Sequence, residues 1–305
     1  MSVIVAIGPS SFADEDTSPL ELLQSAGVTV KDNPFKRRLN EAETIEHLKG
    51  VDGLIAGLEP LNRNVISRCA PKLRAIARVG IGVANVDFDA AAEFGVKVSS
   101  TPEGPINAVA EMCLAALLTI GRTILPANEA LHNGQWKKSI GFSLMGTKVL
   151  LIGYGRIGRR TGELLRAFGA ELLVQDPFLD ASTLNHGERA VSLDEGLAEA
   201  EVISLHASGE DCVLDRVEFA KMRKGVVLLN SARGGLVSEP GLIAALEDGT
   251  VGATWFDAFW KEPYTGPLTR YPQALLTPHI STYTVQCRRD METAAVKNLL
   301  RDLGL

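Results

Sequence analysis

Three charged side chains each follow an apolar run in the second half of the 305-residue chain. Arg233 ends VVLLNSAR, Glu262 lies in FDAFWKEP and His279 lies in LLTPHIS. The planar fork of an arginine holds a carboxylate, and an imidazole exchanges protons near neutral pH. A carboxylate beside that imidazole orients it and favours its charged form, which raises its pKa. These residue types therefore predict proton transfer on a substrate that carries a carboxylate.

A glycine-rich loop precedes these three residues in KVLLIGYGRIG. Gly153, Gly155 and Gly158 form the pattern GxGxxG, with an apolar run before it and an amphipathic segment after it. The first glycine permits a tight turn, the second lets a pyrophosphate approach the backbone, and the third lets the helix pack on the strand. The free N–H groups at the start of such a helix bind phosphate. The apolar stripe by which this helix is expected to be buried is Leu164, Leu165 and Phe168. The loop therefore predicts a dinucleotide cofactor and, for the residues that follow, hydride transfer.

Asp176 ends the next apolar run, ELLVQD, 21 residues after Gly155. A carboxylate at this distance hydrogen-bonds the ribose 2′-hydroxyl and repels a 2′-phosphate, which favours NAD over NADP. The alternative is a plain strand-to-helix turn in which Asp176 only precedes Pro177. Because the strand, the loop, the helix and the acid are all in register, we favour the NAD interpretation.

Structural explanations compete with the catalytic interpretation of each charged residue. An arginine after a strand usually pairs with an acid, a glutamate before proline is usually a solvated loop residue, and a histidine in a turn often bonds to backbone. The catalytic interpretation rests on the three residues occurring together, in order, after the dinucleotide loop. His206, in VISLHA, is a rival base, but it comes earlier in the chain and we expect it beside the cofactor.

Two series of alternating strands and helices must position these residues. The first runs from SVIVAIG to GVKVSS and the second from TKVLLIG to ALLTPHI. This alternation predicts an α/β fold with two doubly wound parallel-sheet lobes, whose ligands bind beyond the carboxyl ends of the strands. A cleft between the lobes is the predicted site. Apolar residues at helical spacing predict a long helix between the two series, marked by Val109, Cys113, Ala116, Leu117 and Ile120. A second such stripe predicts a last helix, marked by Met291, Ala295, Leu299 and Leu303.

The composition, 46% apolar and 22% charged, is typical of a packed globular protein. A net charge of −6 argues against a nucleic-acid or anionic-membrane partner, because both reward clustered Lys and Arg. The four cysteines are isolated, which predicts no metal site and a reducing compartment. The first apolar run is too short for a signal peptide, and MCLAALLTI, the most apolar later segment, is too short to span a bilayer. We therefore expect a cytoplasmic protein.

The segments GYGRIG, VQDP, NSARGGLV, DAFWKEP and TPHIS, in this order, resemble the D-isomer-specific 2-hydroxyacid dehydrogenases. Short members similar to phosphoglycerate dehydrogenase are the most alike. The likeness extends from about residue 50 to 285 and includes RVGIGVANVDFDAAAEFGVKV. It implies an NAD-dependent oxidoreductase that interconverts a D-2-hydroxy acid and its 2-keto acid, with phosphoglycerate, hydroxypyruvate or glyoxylate as the type of substrate.

The resemblance also implies an architecture and a set of site residues. A Rossmann NAD-binding domain, residues 101–280, is inserted into a flavodoxin-like substrate domain made of 1–100 and 281–305. A homodimer forms through the long helix region, about 104–123. The catalytic residues are Arg233, Glu262 and His279, and the substrate also contacts the backbone of Val79, Gly80, Ile81 and Gly82. The cofactor-binding residues are Gly153, Tyr154, Gly155, Arg156, Ile157, Gly158, Asp176, His206, Ala207, Ser231, Ala232 and Asp257.

The chain departs from the pattern of this family at four places. Ala84 stands where many relatives have Asp, and Ser281 replaces a common Gly after the catalytic histidine. HASGEDCVLD is shorter than the usual loop after its strand, which puts its contacts to the nicotinamide in question. AGLEPLN lacks the Arg-Ser pair of many phosphoglycerate enzymes, which argues against a phosphorylated substrate. Because the sequence stops at residue 305, we do not expect serine feedback through a regulatory extension.

Two other functions fit the same scaffold. Formate or phosphite oxidation is one, but relatives that act on formate carry Gln where Glu262 stands. The other is an NAD(H)-sensing interaction protein, similar to co-repressors that keep the three catalytic residues. Activity on a panel of 2-keto acids distinguishes an enzyme from such a sensor.

Overall fold

A computed structural model describes residues 2–209 and 211–305. The chain forms two compact units. The first unit contains the residues up to Pro105 together with Thr282–Leu305, and the second contains Ile106–Ser281. The polypeptide therefore leaves the first unit once and returns to it once.

Elements of the first chain segment alternate strictly between strand and helix. They are β1 Ile4–Ile7, α1 Ser18–Ser25, β2 Thr29–Lys31, α2 Glu41–His47, β3 Gly53–Ala56, α3 Arg63–Cys69, β4 Ala75–Arg78, α4 Phe88–Glu93 and β5 Lys97–Ser100.

The rest of the chain begins with two consecutive helices and then resumes the alternation, except that only a short 3₁₀ turn separates β7 from β8 and β11 from β12. Its elements are α5 Pro105–Gly121, α6 Ile124–His132, β6 Lys148–Ile152, α7 Arg156–Ala167, β7 Glu171–Gln175, β8 Glu188–Ala190, α8 Leu193–Glu199, β9 Val202–Leu205, α9 Arg216–Phe219, β10 Val226–Asn230, α10 Glu239–Glu247, β11 Val251–Phe256, β12 Ala274–Leu276 and α11 Val285–Leu303.

The first unit is built on a five-stranded parallel sheet in the order β2-β1-β3-β4-β5. Its central strands β3 and β4 are buried along their whole length, as expected for a sheet covered on both faces. The last helix, α11, packs against these strands with the predicted stripe Met291, Ala295, Leu299 and Leu303 buried. Gly53 admits this approach, because a Cβ there would lie 3.0 Å from a Leu303 methyl.

The second unit is built on a seven-stranded parallel sheet in the order β12-β11-β10-β9-β6-β7-β8. Chain order reverses direction at β6, so the crevice beyond its carboxyl end is the usual ligand position in such sheets. Helix α5 packs on this sheet with Val109, Cys113, Ala116 and Leu117 buried and Ile120 partly buried. The predicted α/β fold with two parallel-sheet lobes is therefore confirmed.

Two local features differ from the sequence expectations. Leu165 is buried on α7, but Phe168, expected on the same stripe, is 47% exposed. Phe168 is the C-terminal cap of the helix, and Gly169 follows it with φ +83°, so the backbone has already left the helical path there. Helix α6 was not anticipated, and it has no buried residue.

Neither a membrane span nor a metal site emerges from the described ranges. No single helix there has the length and hydropathy to cross a membrane, and only α5 and α6 taken together, across a bend of 59°, pass on length and composition. Likewise, residues 2–209 and 211–305 contain no group of three or more His, Cys, Asp or Glu side chains arranged to hold a metal ion.

Replacement of Leu299 by Ala tests the contribution of α11 to the first unit. Leu299 is fully buried, and removal of a buried leucine side chain leaves a cavity that costs about 3 kcal/mol. We expect the urea midpoint of unfolding to fall accordingly. Leu305→Ala is the matched control, because that side chain is 54% exposed. Equal midpoints for the two variants would contradict the packing described above.

Candidate active site

His279 and Glu262 form a hydrogen-bonded pair in the second unit. The Nδ1 atom of His279 lies 2.9 Å from Oε1 and 3.0 Å from Oε2 of Glu262. Glu262 Oε1 also accepts a bond from the Phe259 N–H at 3.1 Å, which fixes the carboxylate. A carboxylate accepts only, so Nδ1 donates and Nε2 is the ring nitrogen left for proton exchange. The structure thus brings together two of the three predicted catalytic side chains.

The turn that carries His279 has an unusual backbone conformation. His279 has φ +53°, a left-handed conformation that a non-glycine residue adopts only when its surroundings impose it. Asp257, fully buried, supplies this constraint. Its Oδ1 accepts bonds from Thr277 Oγ1 at 2.6 Å and Ile280 N–H at 2.9 Å. Its Oδ2 accepts bonds from the Ser281 N–H at 2.9 Å and the Ser281 hydroxyl at 2.5 Å.

The hydrogen bonds of Asp257 give it a structural role that the sequence did not indicate. Both of its oxygens hold the 277–281 turn, so its position is explained without a cofactor, and its predicted contact to the cofactor stays a prediction. The Trp255 indole N–H extends this network, because it donates to Thr277 Oγ1 at 2.9 Å. Sequence reasoning missed Thr277 and the hydroxyl of Ser281. The only signal was the serine at a position where relatives commonly have glycine.

Arg233 lies in the turn after β10, which buried Asn230 shapes. The Asn230 amide donates to the Arg233 carbonyl oxygen at 2.8 Å and its Oδ1 accepts the Ala232 N–H at 3.0 Å. The next residue, Gly234, packs against the backbone of the loop that leads to Glu262. A Cβ on Gly234 would lie 2.2 Å from the Phe259 carbonyl carbon, so only glycine permits this contact. Asn230 is a second positioning residue that the sequence analysis did not assign.

The charges of Arg233, Glu262 and His279 act on one another. The hydrogen bond to Glu262 raises the pKa of His279 above its ordinary value, although burial and the Arg233 charge oppose this. Burial works against ionisation of Glu262, but the hydrogen bond and charge of His279 outweigh it and lower the Glu262 pKa, with Arg233 adding to that effect. The pair is therefore biased towards imidazolium and carboxylate.

The Arg233 guanidinium has one hydrogen bond, from Nη1 to the Ala232 carbonyl oxygen at 2.7 Å. None of the ion pairs between residues in the described ranges involves it. A guanidinium has five N–H donors, so most of its hydrogen-bonding capacity is not used by protein oxygens in that part of the chain. This geometry fits an anionic ligand better than a structural ion pair.

The glycine loop between β6 and α7 has the shape that a pyrophosphate needs. Gly153 has φ +90°, and a Cβ there would lie 2.5 Å from the Ala207 nitrogen. A Cβ on Gly158 would lie 2.3 Å from the Gly153 carbonyl oxygen, whereas Gly155 faces open space. Gly155 is the N-terminal cap residue of α7 and has no side chain, so no capping side chain bonds the first N–H groups of the helix. These residues fit a dinucleotide phosphate group.

Asp176 lies beside this loop, at the end of the neighbouring strand β7. Its Oδ2 accepts the Tyr154 N–H at 2.6 Å, and its Oδ1 accepts the Phe178 N–H at 2.9 Å. The second bond belongs to the turn that the alternative interpretation required. The first ties the carboxylate to the glycine loop, where a bound ribose is expected.

Three other predicted cofactor residues, Tyr154, His206 and Ala207, lie in the glycine loop or against it. Ala207 packs on Gly153, and His206 Nε2 lies 2.9 Å from the Ser204 hydroxyl. Burial lowers the pKa of His206 to about 4, so this imidazole is neutral at pH 7 and unsuited to donate a proton as a cation. The Tyr154 ring is buried under the Arg159 guanidinium and its N–H is bonded to Asp176, so its predicted contact to the cofactor stays a prediction.

Four more of these residues lie at the helix start or in the arginine turn. Arg156 is exposed and Ile157 half-buried in the first turn of α7, and Ala232 is half-buried next to Arg233. The Ser231 hydroxyl lies 3.3 Å from the Cys113 sulfur. In the shortened loop after His206, Glu210 lies outside the described residues.

The predicted substrate loop, residues 79–82, follows β4 in the first unit. The Val79 N–H donates to the Ala56 carbonyl oxygen at 2.9 Å, and the Gly80 N–H donates to Thr101 Oγ1 at 2.7 Å. Gly80 has φ +128°, which requires glycine. Two of the four predicted N–H donors are therefore already bonded within the unit, and Ile81 and Gly82 are the better candidates for contact with a substrate.

Comparisons with known proteins agree with this geometry. Residues 114–281 match the family model described as "D-isomer specific 2-hydroxyacid dehydrogenase, NAD binding domain". The chain is 39% identical over 226 residues to a D-3-phosphoglycerate dehydrogenase of Mycobacterium bovis, a match that covers 72% of this chain and 43% of that protein. It is 32% identical over 276 residues to a hydroxypyruvate reductase of Thermotoga maritima, with 88% and 90% covered.

Among solved structures, the TT0316 protein from Thermus thermophilus superimposes with a TM-score of 0.89 at 31% identity, covering 99% of this chain and 97% of that one. The chain thus spans less than half the length of the phosphoglycerate dehydrogenase relative and most of the length of the other two. The alternative of an NAD(H)-sensing interaction protein is not favoured by these similarities.

Replacement of Glu262 by Gln tests the charge coupling of the pair. The amide keeps the side-chain shape but removes the negative charge that stabilises the imidazolium, so the pKa of His279 should fall. NMR titration of the imidazole, assigned with a His279 variant, measures this directly. Glu247→Gln is the control, because it removes a carboxylate of the same unit that bonds Tyr271 instead. An unchanged His279 titration in Glu262→Gln would show that the pair is not coupled.

Proposed function

The chain belongs to the D-isomer specific 2-hydroxyacid dehydrogenases, and we propose that it is an NAD-dependent oxidoreductase interconverting a D-2-hydroxy acid and its 2-keto acid. The observation that carries this proposal is the Glu262–His279 pair, held in the same unit as the phosphate-binding glycine loop. A proton carrier with a raised pKa is what the alcohol and carbonyl forms of such a substrate require.

In the proposed mechanism, NAD held at the glycine loop by residues 153–158 and Asp176 would supply the hydride chemistry at C2 of the substrate. His279 Nε2 accepts the hydroxyl proton during oxidation and gives it back during reduction. Glu262 holds the ring by Nδ1 and stabilises its charged form. Arg233 binds the substrate carboxylate and polarises the reacting carbonyl with its unused donors.

We propose that Asp176 selects NAD by accepting a bond from the ribose 2′-hydroxyl. Its carboxylate already approaches the glycine loop through Tyr154 N–H, and a 2′-phosphate there would meet like charge. The second unit is the proposed NAD-binding domain and the first the proposed substrate domain. The N–H groups of Ile81 and Gly82 are the proposed contacts to the substrate.

Replacement of His279 or Arg233 by Ala tests the proposed mechanism. Loss of a general acid–base group typically costs 10²- to 10⁴-fold in rate, so we expect reduction of 2-keto acids by NADH to slow by about 100-fold or more. The Kd for NADH, from fluorescence titration, should stay within about threefold, because neither residue lies in the glycine loop. His132→Ala, an exposed histidine on α6, is the control. Near wild-type kcat in either test variant would overturn the assignment.

We also propose that the protein is a homodimer in a reducing, cytoplasmic compartment. All four cysteines are free thiols, which supports the compartment. An apolar segment after α5 supports the dimer. Trp136 is 82% exposed, Ile140 100% and Met145 78%, and α6 just before them has no buried residue. A surface of this kind is typical of a protein interface.

Replacement of both Trp136 and Ile140 by Asp tests the dimer. A charge at each position would cost several kcal/mol if the residue is buried against a second copy. We expect light scattering to give about twice the 32.7 kDa chain mass for the wild type and one chain mass for the variant. Val217→Asp, at another exposed apolar residue of the same unit, should remain dimeric. A monomeric wild type would refute the proposal.

A further inference from the structure

The carboxyl edge of the first unit contains a ligand position of its own. In a parallel sheet with the order β2-β1-β3-β4-β5, the direction of strand addition reverses between β1 and β3. The crevice beyond the carboxyl ends of those two strands is where ligands of such sheets bind. The residues that follow β1 and β3, Gly8 and Gly57, therefore border the predicted crevice.

The side chain of Glu59 fills this crevice. It is 2% exposed, and both carboxylate oxygens lie 3.0 Å from the Gly57 N–H. A Cβ on Gly8 would lie 2.0 Å from Glu59 Oε1, and one on Gly57 would lie 3.0 Å from Oε2. The carboxylate thus lies against two strand ends, and a side chain at Gly8 would have to displace it.

Glu59 is also tied to the proposed substrate loop. The Asn85 amide, just beyond that loop, donates to the Glu59 carbonyl oxygen at 2.7 Å and to the Gly57 carbonyl oxygen at 3.2 Å. In return, the Leu61 N–H donates to the Asn85 carbonyl oxygen at 2.8 Å. Arg78, the buried residue that ends β4 immediately before the loop, is close enough for its charge to act on Glu59. The loop of Glu59 and the loop that carries the proposed substrate contacts 81 and 82 are therefore joined through Asn85 within the same unit.

Three properties of Glu59 would exclude an anionic group from this crevice. The Glu59 side chain occupies the volume, its oxygens use the Gly57 N–H that an incoming anion would need, and its ionised form repels negative charge. Burial raises the pKa of Glu59, with Arg78 and Arg38 opposing that rise. The first two properties hold in either protonation state.

We infer that Glu59 is a specificity-determining residue that restricts this protein to substrates with one anionic group. The substrate class is a small 2-keto or 2-hydroxy acid whose substituent beyond C2 is uncharged, such as hydroxypyruvate, and not its phosphate ester. This inference rests on the proposed function and adds the substrate class to it. The similar proteins do not decide the matter, because one is named for a phosphorylated substrate and another for hydroxypyruvate.

Steady-state kinetics with NADH, comparing hydroxypyruvate with 3-phosphohydroxypyruvate, test the inference. We expect the wild type to prefer hydroxypyruvate by about 100-fold in kcat/KM, the size of an uncompensated like-charge contact. Glu59→Gln keeps the volume and removes the charge, and Glu59→Ala removes both. The preference should shrink by about tenfold in Glu59→Gln and further in Glu59→Ala.

Glu292→Gln is the matched control for a buried acid of the same unit. Glu292 is also 2% exposed, but it bonds Ala13 N–H and Arg288. The Glu292→Gln variant should lose stability without any change in the substrate preference. If Glu59 were merely structural, its variants would behave in the same way. Inhibition adds a readout that needs no variant. D-glycerate should compete with hydroxypyruvate in the wild type at concentrations where 3-phosphoglycerate does not.

The outcomes separate the inference from the proposed function. Equal or better use of the phosphorylated substrate by the wild type would overturn the inference and leave the dehydrogenase assignment intact. An unchanged preference in both Glu59→Gln and Glu59→Ala would overturn the role of Glu59, whereas loss of the preference in Glu59→Ala would support it. No reduction of any 2-keto acid would overturn the proposed function and the inference with it.

Discussion

The buried carboxylate of Asp257 is the interaction on which the candidate active site depends. Four donors from residues 277, 280 and 281 converge on it, and together they hold His279 in a left-handed backbone conformation. A conformation of this kind costs on the order of 1–3 kcal/mol and persists only where several bonds impose it. The turn held in this way carries the imidazole that bonds Glu262, so the geometry of the pair depends on a residue that is hydrogen-bonded to neither side chain.

Glycines perform a comparable task at the carboxyl ends of the strands of the seven-stranded sheet. Gly153 and Gly234 let one turn press against the backbone of another, and a single Cβ would push those turns apart. The dinucleotide loop and the arginine turn are thus placed by close backbone contact rather than by side-chain packing. Parallel sheets favour this arrangement, because their strands end side by side and present successive turns to one edge.

Two buried acids, Asp257 and Glu59, show opposite uses of the same chemistry. Asp257 satisfies its charge with donors from a single turn and so shapes the site in which, on our proposal, Arg233 binds an anion. Glu59 binds the backbone of its own loop and, on our inference, closes the corresponding crevice of the other sheet to a second anion. A carboxylate without such donors would be costly to bury, so the donors around each of these two acids must keep their positions.

The sequence by itself determined the features that depend on near neighbours. Apolar periodicity located the strands and the stripes of α5 and α11, and the spacing from Gly155 to Asp176 indicated a dinucleotide loop, because turns and helices are set by local sterics and local hydrogen bonds. It placed Phe168 wrongly because a helix end is decided by one or two residues, and it did not anticipate α6.

Only the tertiary structure decided which distant residues meet. The bonds from Asp257 to Ser281 span 24 residues, and the approach of Gly8 to Glu59 spans 51. Such contacts depend on strand order and register, which join segments whose separation along the chain carries no periodic signal. For the same reason, the sequence marked Val79 to Gly82 as one substrate loop, and only the fold showed which of their N–H groups are already bonded.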